Sequence, residues 1–219
     1  MTTDTANLSN PPCQLYLITP PIIKIPDFCE QLKAALDGGA VAALQIRLKQ
    51  SSDDDICQAT EAIMEITKPF GTTILMNDRP DLAKKCGVDG VHIGQQDSSY
   101  DQARSFLGPD AVIGVTCHNS KHLSITAAEQ GADYVAFGAF FPSTTKHAAT
   151  RAEADLLKWW HEIMVVPSVA IGGITHENCS SLITAGADFL AVVSAVWDYP
   201  DGECKAVRHF NQIINNLNQ

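Results

Sequence analysis

Positive charge is scarce in this sequence. Its 219 residues hold 15 Lys and Arg against 25 Asp and Glu, a formal net charge of -10. A nucleic-acid surface is a Lys/Arg excess gathered on one face, and attraction to anionic lipid also needs clustered basic residues, so neither partner is expected. Any phosphate-bearing ligand has to be held by a few well-placed cations. Long apolar runs are missing too. The most apolar stretch, residues 164–174, is broken by Pro167 and a Gly pair, whereas a bilayer span takes about 20 apolar residues, so no membrane segment is expected. The opening MTTDTANLSNPP has no apolar stretch of the secretory-signal kind and is expected to be a flexible N-terminal tail over residues 1–12. Cysteine pairing signals are also absent. Seven cysteines, at 13, 29, 57, 86, 117, 179 and 204, are odd in number and form no C-x-x-C pair. That suits free thiols in a cytoplasmic protein better than a disulfide framework or a zinc site, and no nucleophilic cysteine is expected.

What the sequence does have is 45% hydrophobic residues in a regular alternation. Apolar runs of strand length lie at residues 15–19, 43–48, 73–77, 90–93, 112–116, 134–138, 167–171 and 189–193. Between them the apolar spacing turns helical, as at Ile56, Ala59, Ile63 and Ile66, and again at Val207, Phe210, Ile214 and Leu217. Eight strand–helix units in this length predict one domain, a (β/α)8 TIM barrel of α/β class over residues 13–219. A doubly wound open sheet is the alternative, but no G-x-G-x-x-G follows the first strand. A loose repeat supports the barrel: GVDGVHIG (87–94), GADYVAFG (131–138) and GADFLAVVS (186–194) each place Gly where a helix should end, then Asp, then a strand. GGAVAALQIR (38–47) is a looser copy.

Polar residues collect at strand ends. The second strand reads Leu44-Gln45-Ile46-Arg47-Leu48-Lys49. Alternation sends the apolar residues toward the helices and leaves Gln45, Arg47 and Lys49 on the inner face, climbing to the C-terminal mouth. Inward cations are costly unless paired or ligand-bound, so either a salt bridge closes the barrel or an anionic ligand sits at its mouth; the ligand is favoured. The third strand ends in Asn77-Asp78-Arg79 and the fourth continues from His92 through Gly94 to Asp97. Two carboxylates beyond adjacent strands suit Mg2+, which takes one or two carboxylates together with water and phosphate oxygens. An acid/base pair, or an Asp97-Ser98 helix cap, is the alternative. A second loop, Pro142-Ser143-Thr144-Thr145-Lys146, follows the sixth strand with hydroxyls, N–H groups and a cation. Gly172-Gly173 and Val193-Ser194 end the seventh and eighth strands, where this barrel class often binds phosphate. His118 and His122 stand four apart, but His118 falls at the end of the fifth strand, so helical metal spacing does not apply. Trp159 and Trp160 should divide, one ring in the helix layer and one at the surface.

Taken together, these residues resemble the thiamine phosphate synthases. The matching strings are LYLIT (15–19), LQIRLK (44–49), ILMNDRPDLAKKCGVDGVHIGQQD (74–97), IGVTCH (113–118), GADYVAFGAFFPSTTK (131–146), VAIGGITHEN (169–178) and GADFLAVVSAV (186–196). The resemblance implies a barrel that transfers a (methylpyrimidinyl)methyl group, joining 4-amino-2-methyl-5-hydroxymethylpyrimidine diphosphate to 4-methyl-5-(2-hydroxyethyl)thiazole phosphate. By carry-over, Arg47, Lys49, Asn77 and Lys146 grip the pyrophosphate, with Thr116 and Thr145 adding hydroxyl contacts. Asp78 and Asp97 hold Mg2+. Gln45, His92 and Gly94 line the pyrimidine pocket, and Ser143, Thr145, Gly173, Val193 and Ser194 cradle the thiazole phosphate. Thr116 stands where many members have Ser, and Ser143 where many have Thr; both keep a hydroxyl. The implied partners are these small molecules, with a homodimer as a candidate assembly. Two rival readings are a thiazole tautomerase-like paralogue, which would not need the full pyrophosphate grip, and a non-catalytic barrel that binds a phosphorylated ligand.

Overall fold

The structure is a computed structural model that describes residues 12–142 and 150–217. Its first half runs β1 (Gln14–Ile18), α1 (Ile25–Asp37), β2 (Ala43–Ile46), α2 (Asp53–Thr67), β3 (Thr73–Asn77), α3 (Pro80–Cys86), β4 (Gly90–Ile93) and α4 (Tyr100–Leu107). The second half adds β5 (Val112–His118), α5 (Lys121–Gln130), β6 (Tyr134–Gly138), α6 (Ala154–Ile163), β7 (Ser168–Ile171), α7 (Cys179–Thr184), β8 (Phe189–Val192), α8 (Ser194–Trp197) and α9 (Glu203–Leu217). The strands pair in chain order, all parallel, and β8 closes on β1. This is the single (β/α)8 barrel that the alternation predicts. Only two strand ends differ much from the apolar runs: β2 stops at Ile46 and β5 continues to His118. Of the expected N-terminal tail, only Pro12 lies among the described residues.

Strands buried on both faces divide their side chains between two cores. Leu44, Ile46, Ile74, Met76, Val91 and Ile93 belong to the layer between barrel and helices. Tyr16, Ile18, Leu75, Tyr134, Ala136, Val169 and Ala191 form a smaller cluster inside the barrel. The helices follow from their apolar stripes. Ile56, Ala59 and Ile63 of α2 are buried, and the Ser52 hydroxyl accepts the Asp55 N–H at its start. Val207, Phe210 and Ile214 of α9 are buried, but Leu217, on the same expected stripe, is 45% exposed. Trp160 is buried with its Nε1–H donating to the Val166 carbonyl, while Trp159 is half-buried beneath the Lys121 ammonium.

The repeated Gly-x-Asp has a physical reason. Gly87, Gly131 and Gly186 stand just past α3, α5 and α7 with φ of 69°, 98° and 91°, the left-handed conformation that stops a helix. The Asp that follows accepts a backbone N–H from the first or second residue of the preceding strand. Asp89 takes that of Ile74 (2.6 Å), Asp133 that of Ile113 (2.8 Å) and Asp188 that of Ser168 (2.7 Å). Ala42 occupies the corresponding place before β2, which explains the looser copy there. These three carboxylates serve the N-terminal end of the barrel, the end that carries stability in this fold.

Candidate active site

At the C-terminal mouth the structure brings together three of the charged residues named from the sequence, Lys49, Asp78 and Asp97. Lys49 Nζ lies 2.7 Å from Asp78 Oδ2. Asp78 follows β3 with a left-handed backbone (φ 63°), a conformation Asp adopts more readily than most residues. That turn brings its carboxylate into hydrogen-bonding contact with Asp97 and Asn77. Asp97 is held from the other side by the Gly94 N–H (2.9 Å). A Cβ on Gly94 would sit 2.8 Å from the Asp97 carboxylate, so the absence of a side chain there makes room for it. The cap alternative for Asp97 fails: Ser99 is the N-cap of α4, in a capping box with Gln102. The salt-bridge alternative holds for Lys49 alone, since among the described residues Arg47 makes no ion pair. Arg47 instead has its backbone tied to the buried Thr19 hydroxyl (3.0 Å). Arg79 turns outward to Asp53 and Asp81 and takes no part in the mouth.

Electrostatics separate the two carboxyls. Burial opposes the charge on Asp78, but hydrogen bonds from Lys49, Asp97 and Asn77 hold it below the usual carboxylate range. Asp97 is raised by burial and by the neighbouring Asp78. Two converging carboxylates of this kind share a proton or bind a hard cation. Among the described residues no group of three or more His, Cys, Asp or Glu could hold a metal ion. A pair of carboxylates fits an ion that completes its shell with water and substrate oxygens, as Mg2+ does. His118 ends β5 with φ 53° and His122 lies in α5, so the two do not share a helical face.

Below the mouth a row of polar groups crosses the barrel interior. His92 Nε2 lies 2.7 Å from Thr116 Oγ1, and its Nδ1 lies 2.8 Å from the Tyr134 hydroxyl. Tyr134 and Tyr16 hydroxyls are 2.9 Å apart, and Gln45 Nε2 donates to Tyr16 (2.8 Å). The structure thus brings Gln45, His92 and Thr116 together, and it adds two residues the strand-end reading missed, Tyr16 and Tyr134. The signal was present: both share inward parity with apolar neighbours on β1 and β6, as Gln45 does on β2.

Across the mouth, Gly172 and Gly173 have φ of 105° and 64°. Their absent Cβ atoms would strike the loop after β6, at 2.4 Å from Ala139 Cβ and 2.2 Å from the Pro142 carbonyl. The close approach these glycines permit here is to that loop. Val193 is half-buried and Ser194 exposed at the end of β8. Ser143, Thr145 and Lys146 lie outside the described residues.

The sequence profile of the family described as thiamine monophosphate synthase matches residues 15–196. The chain belongs to that family. Every predicted site residue of this family member, from Gln45 to Ser194, falls within the matched span. The Rhodospirillum centenum protein named thiamine-phosphate synthase is 52% identical over 202 residues, covering 92% of this chain and 98% of that protein. The one from Hyphomonas neptunium is 48% identical, over 98% of this chain and 99% of its own. The solved structure of thiamine phosphate pyrophosphorylase from Pyrococcus furiosus matches with a TM-score of 0.82 at 28% identity, covering 93% of this chain and 96% of that one. No helix among the described residues is long and apolar enough to cross a membrane.

Proposed function

We propose that the protein condenses 4-amino-2-methyl-5-hydroxymethylpyrimidine diphosphate with 4-methyl-5-(2-hydroxyethyl)thiazole phosphate to give thiamine phosphate and pyrophosphate. The observation that carries the reading is the convergence of Lys49, Asp78 and Asp97 at the mouth of a barrel of this family. Paired carboxylates beside a cation suit a metal-bound diphosphate, which uses both. Asp78 and Asp97 are the residues that would hold Mg2+, which would neutralise charge developing on the leaving pyrophosphate.

The side chains do the rest by positioning and charge. Arg47, Lys49, Asn77 and Lys146 bind pyrophosphate oxygens, and Thr116 and Thr145 donate hydroxyls to them. The carbon–oxygen bond breaks with its electron pair leaving on pyrophosphate. The thiazole nitrogen then shares its lone pair with the pyrimidine methyl cation to form the new carbon–nitrogen bond. No side chain has to accept a proton in the bond-forming step, so holding the two rings in line supplies much of the acceleration. Gln45, His92 and Gly94 line the pyrimidine pocket, and Ser143, Thr145, Gly173, Val193 and Ser194 hold the thiazole phosphate. The setting is the cytoplasm, a reading supported by seven free thiols.

The test is to incubate the protein with both substrates and Mg2+ and to follow thiamine phosphate and pyrophosphate by chromatography. One pyrophosphate should appear per thiamine phosphate. No product, with thiazole phosphate still bound, would overturn the reading in favour of a tautomerase-like or purely binding barrel.

A further inference from the structure

Five side chains from five strands form one row of hydrogen bonds through the barrel: Gln45, Tyr16, Tyr134, His92 and Thr116. Gly114 makes the row possible. It pairs with His92 on one side and with Tyr134 on the other. A Cβ there would lie 1.8 Å from Tyr134 Cζ, so only glycine lets the Tyr134 and His92 rings stack across β5, at 5.6 Å and 19°. Tyr16 meets Tyr134 edge-on at 6.0 Å.

The direction of the row follows from counting protons. The Gln45 amide nitrogen can only donate, so the Tyr16 oxygen accepts from it, and the arrangement that uses every hydroxyl proton of the row has Tyr16 donating to Tyr134. Tyr134 then gives its own proton to His92 Nδ1, which leaves the imidazole proton on Nε2, directed at Thr116. Burial keeps both phenols protonated, with Tyr16 pushed up to about 12 and Tyr134 well above its ordinary value. Both ends of the row come out matched to a ligand. Gln45 keeps its amide oxygen as an acceptor, suited to an exocyclic amino group. Thr116 receives from His92 and keeps its proton to donate, suited to a phosphate oxygen. The opposite direction would spend the Thr116 proton on His92 and turn a bare lone pair toward the anion.

We propose that Tyr134 is a positioning residue: its hydroxyl relays the direction that Gln45 gives the row, and so fixes the tautomer of His92. The inference rests on the pocket assignment above and adds the residue that orients it. Tyr134 touches no reacting atom; it acts through its two neighbours.

Long-range 1H–15N spectra of the labelled, ligand-free protein should show neutral His92 with its proton on Nε2. In Tyr134→Phe the ring still fills its place over Gly114, but Nδ1 loses its donor, and His92 should become a mixture of tautomers. The KM for the pyrimidine diphosphate should rise about tenfold, that for the thiazole phosphate by less than about twofold. Tyr16→Phe cuts the row one step earlier, between Gln45 and Tyr134, so it too should raise the same KM and release His92 into a mixture of tautomers. A proton on Nδ1 in the wild type would overturn the proposal, as would Tyr134→Phe leaving the tautomer and both KM values unchanged. The spectra need no substrate, so failure of the proposed reaction is told apart from failure of the row. Should Tyr134→Phe not fold, the wild-type spectrum and Tyr16→Phe decide.

Discussion

Replacing Lys49 by alanine removes one positive charge from the mouth of the barrel. Its ammonium lies 2.7 Å from Asp78, with the Lys49 side chain 48% exposed and that of Asp78 20%. For folding, an ion pair this open is worth about 0–1 kcal/mol, and a chain of this size shifts its melting temperature by about 2–4 °C per kcal/mol, so the variant should melt within a few degrees of wild type. For ligand binding the sum is different. A unit charge about 4 Å from a diphosphate oxygen is worth about 4 kcal/mol at an effective dielectric of about 20. Solvent at this open mouth brings that down toward the ~1.5–3 kcal/mol of a hydrogen bond to a charged group. Affinity for the pyrimidine diphosphate should therefore fall by about 10- to 150-fold, at 1.4 kcal/mol per factor of ten. The thiazole phosphate, assigned to the ends of β7 and β8, should bind as before. Calorimetric titration of each substrate, with a melt of both proteins, measures all three quantities. Equal loss for the two substrates, or unchanged diphosphate binding in a folded variant, would refute the assignment of Lys49.

Two further predictions concern stability away from the mouth. His176 is buried, donates from Nε2 to the Ala206 carbonyl (3.0 Å) and stacks on His209 (4.5 Å); burial lowers its pKa, the carbonyl bond opposes the shift and His209 adds to it. The unfolded chain then binds the proton more tightly, so the urea midpoint should hold steady above pH ~6.5 and fall as the pH drops below it, a slope that His176→Asn should reduce and that would contradict the account if unchanged. Asp188→Ala strips the buried Ser168 N–H of its acceptor and should cost about 1–3 kcal/mol by urea titration with kcat and KM unchanged; a lost activity at full stability would move Asp188 from scaffold to site.

The barrel was legible because parallel strands covered on both faces read as short apolar runs, and each run here is ended by Gly or by a polar rim residue. Lys49 was flagged by the same alternation, since a charge on inward parity stands out against Leu44, Ile46 and Leu48, although β2 ends at Ile46 and Lys49 reaches Asp78 from the turn that follows. Tyr16 and Tyr134 carry that parity without a charge, and as aromatic residues they pass for core. Their hydroxyls acquire meaning only when β1, β4 and β6 are brought round one axis. Spacing alone left Asp97 divided between cap and rim. Three local facts decided it: the left-handed turn at Asp78, the bare Gly94, and Ser99 taking the cap of α4. The Gly-x-Asp repeat was visible as a pattern, but its purpose lies in contacts that cross from one strand to the previous one.

The central claim is that Asp78 and Asp97 bind the diphosphate through a divalent cation, and calorimetric binding of the pyrimidine diphosphate with and without Mg2+ tests it most directly. Binding by the wild type should depend on Mg2+, and the paired Asp78→Asn, Asp97→Asn variant should lose that dependence while still binding thiazole phosphate. Equal affinity with and without Mg2+ in the wild type, or Mg2+-dependent binding that survives in the variant, would contradict it.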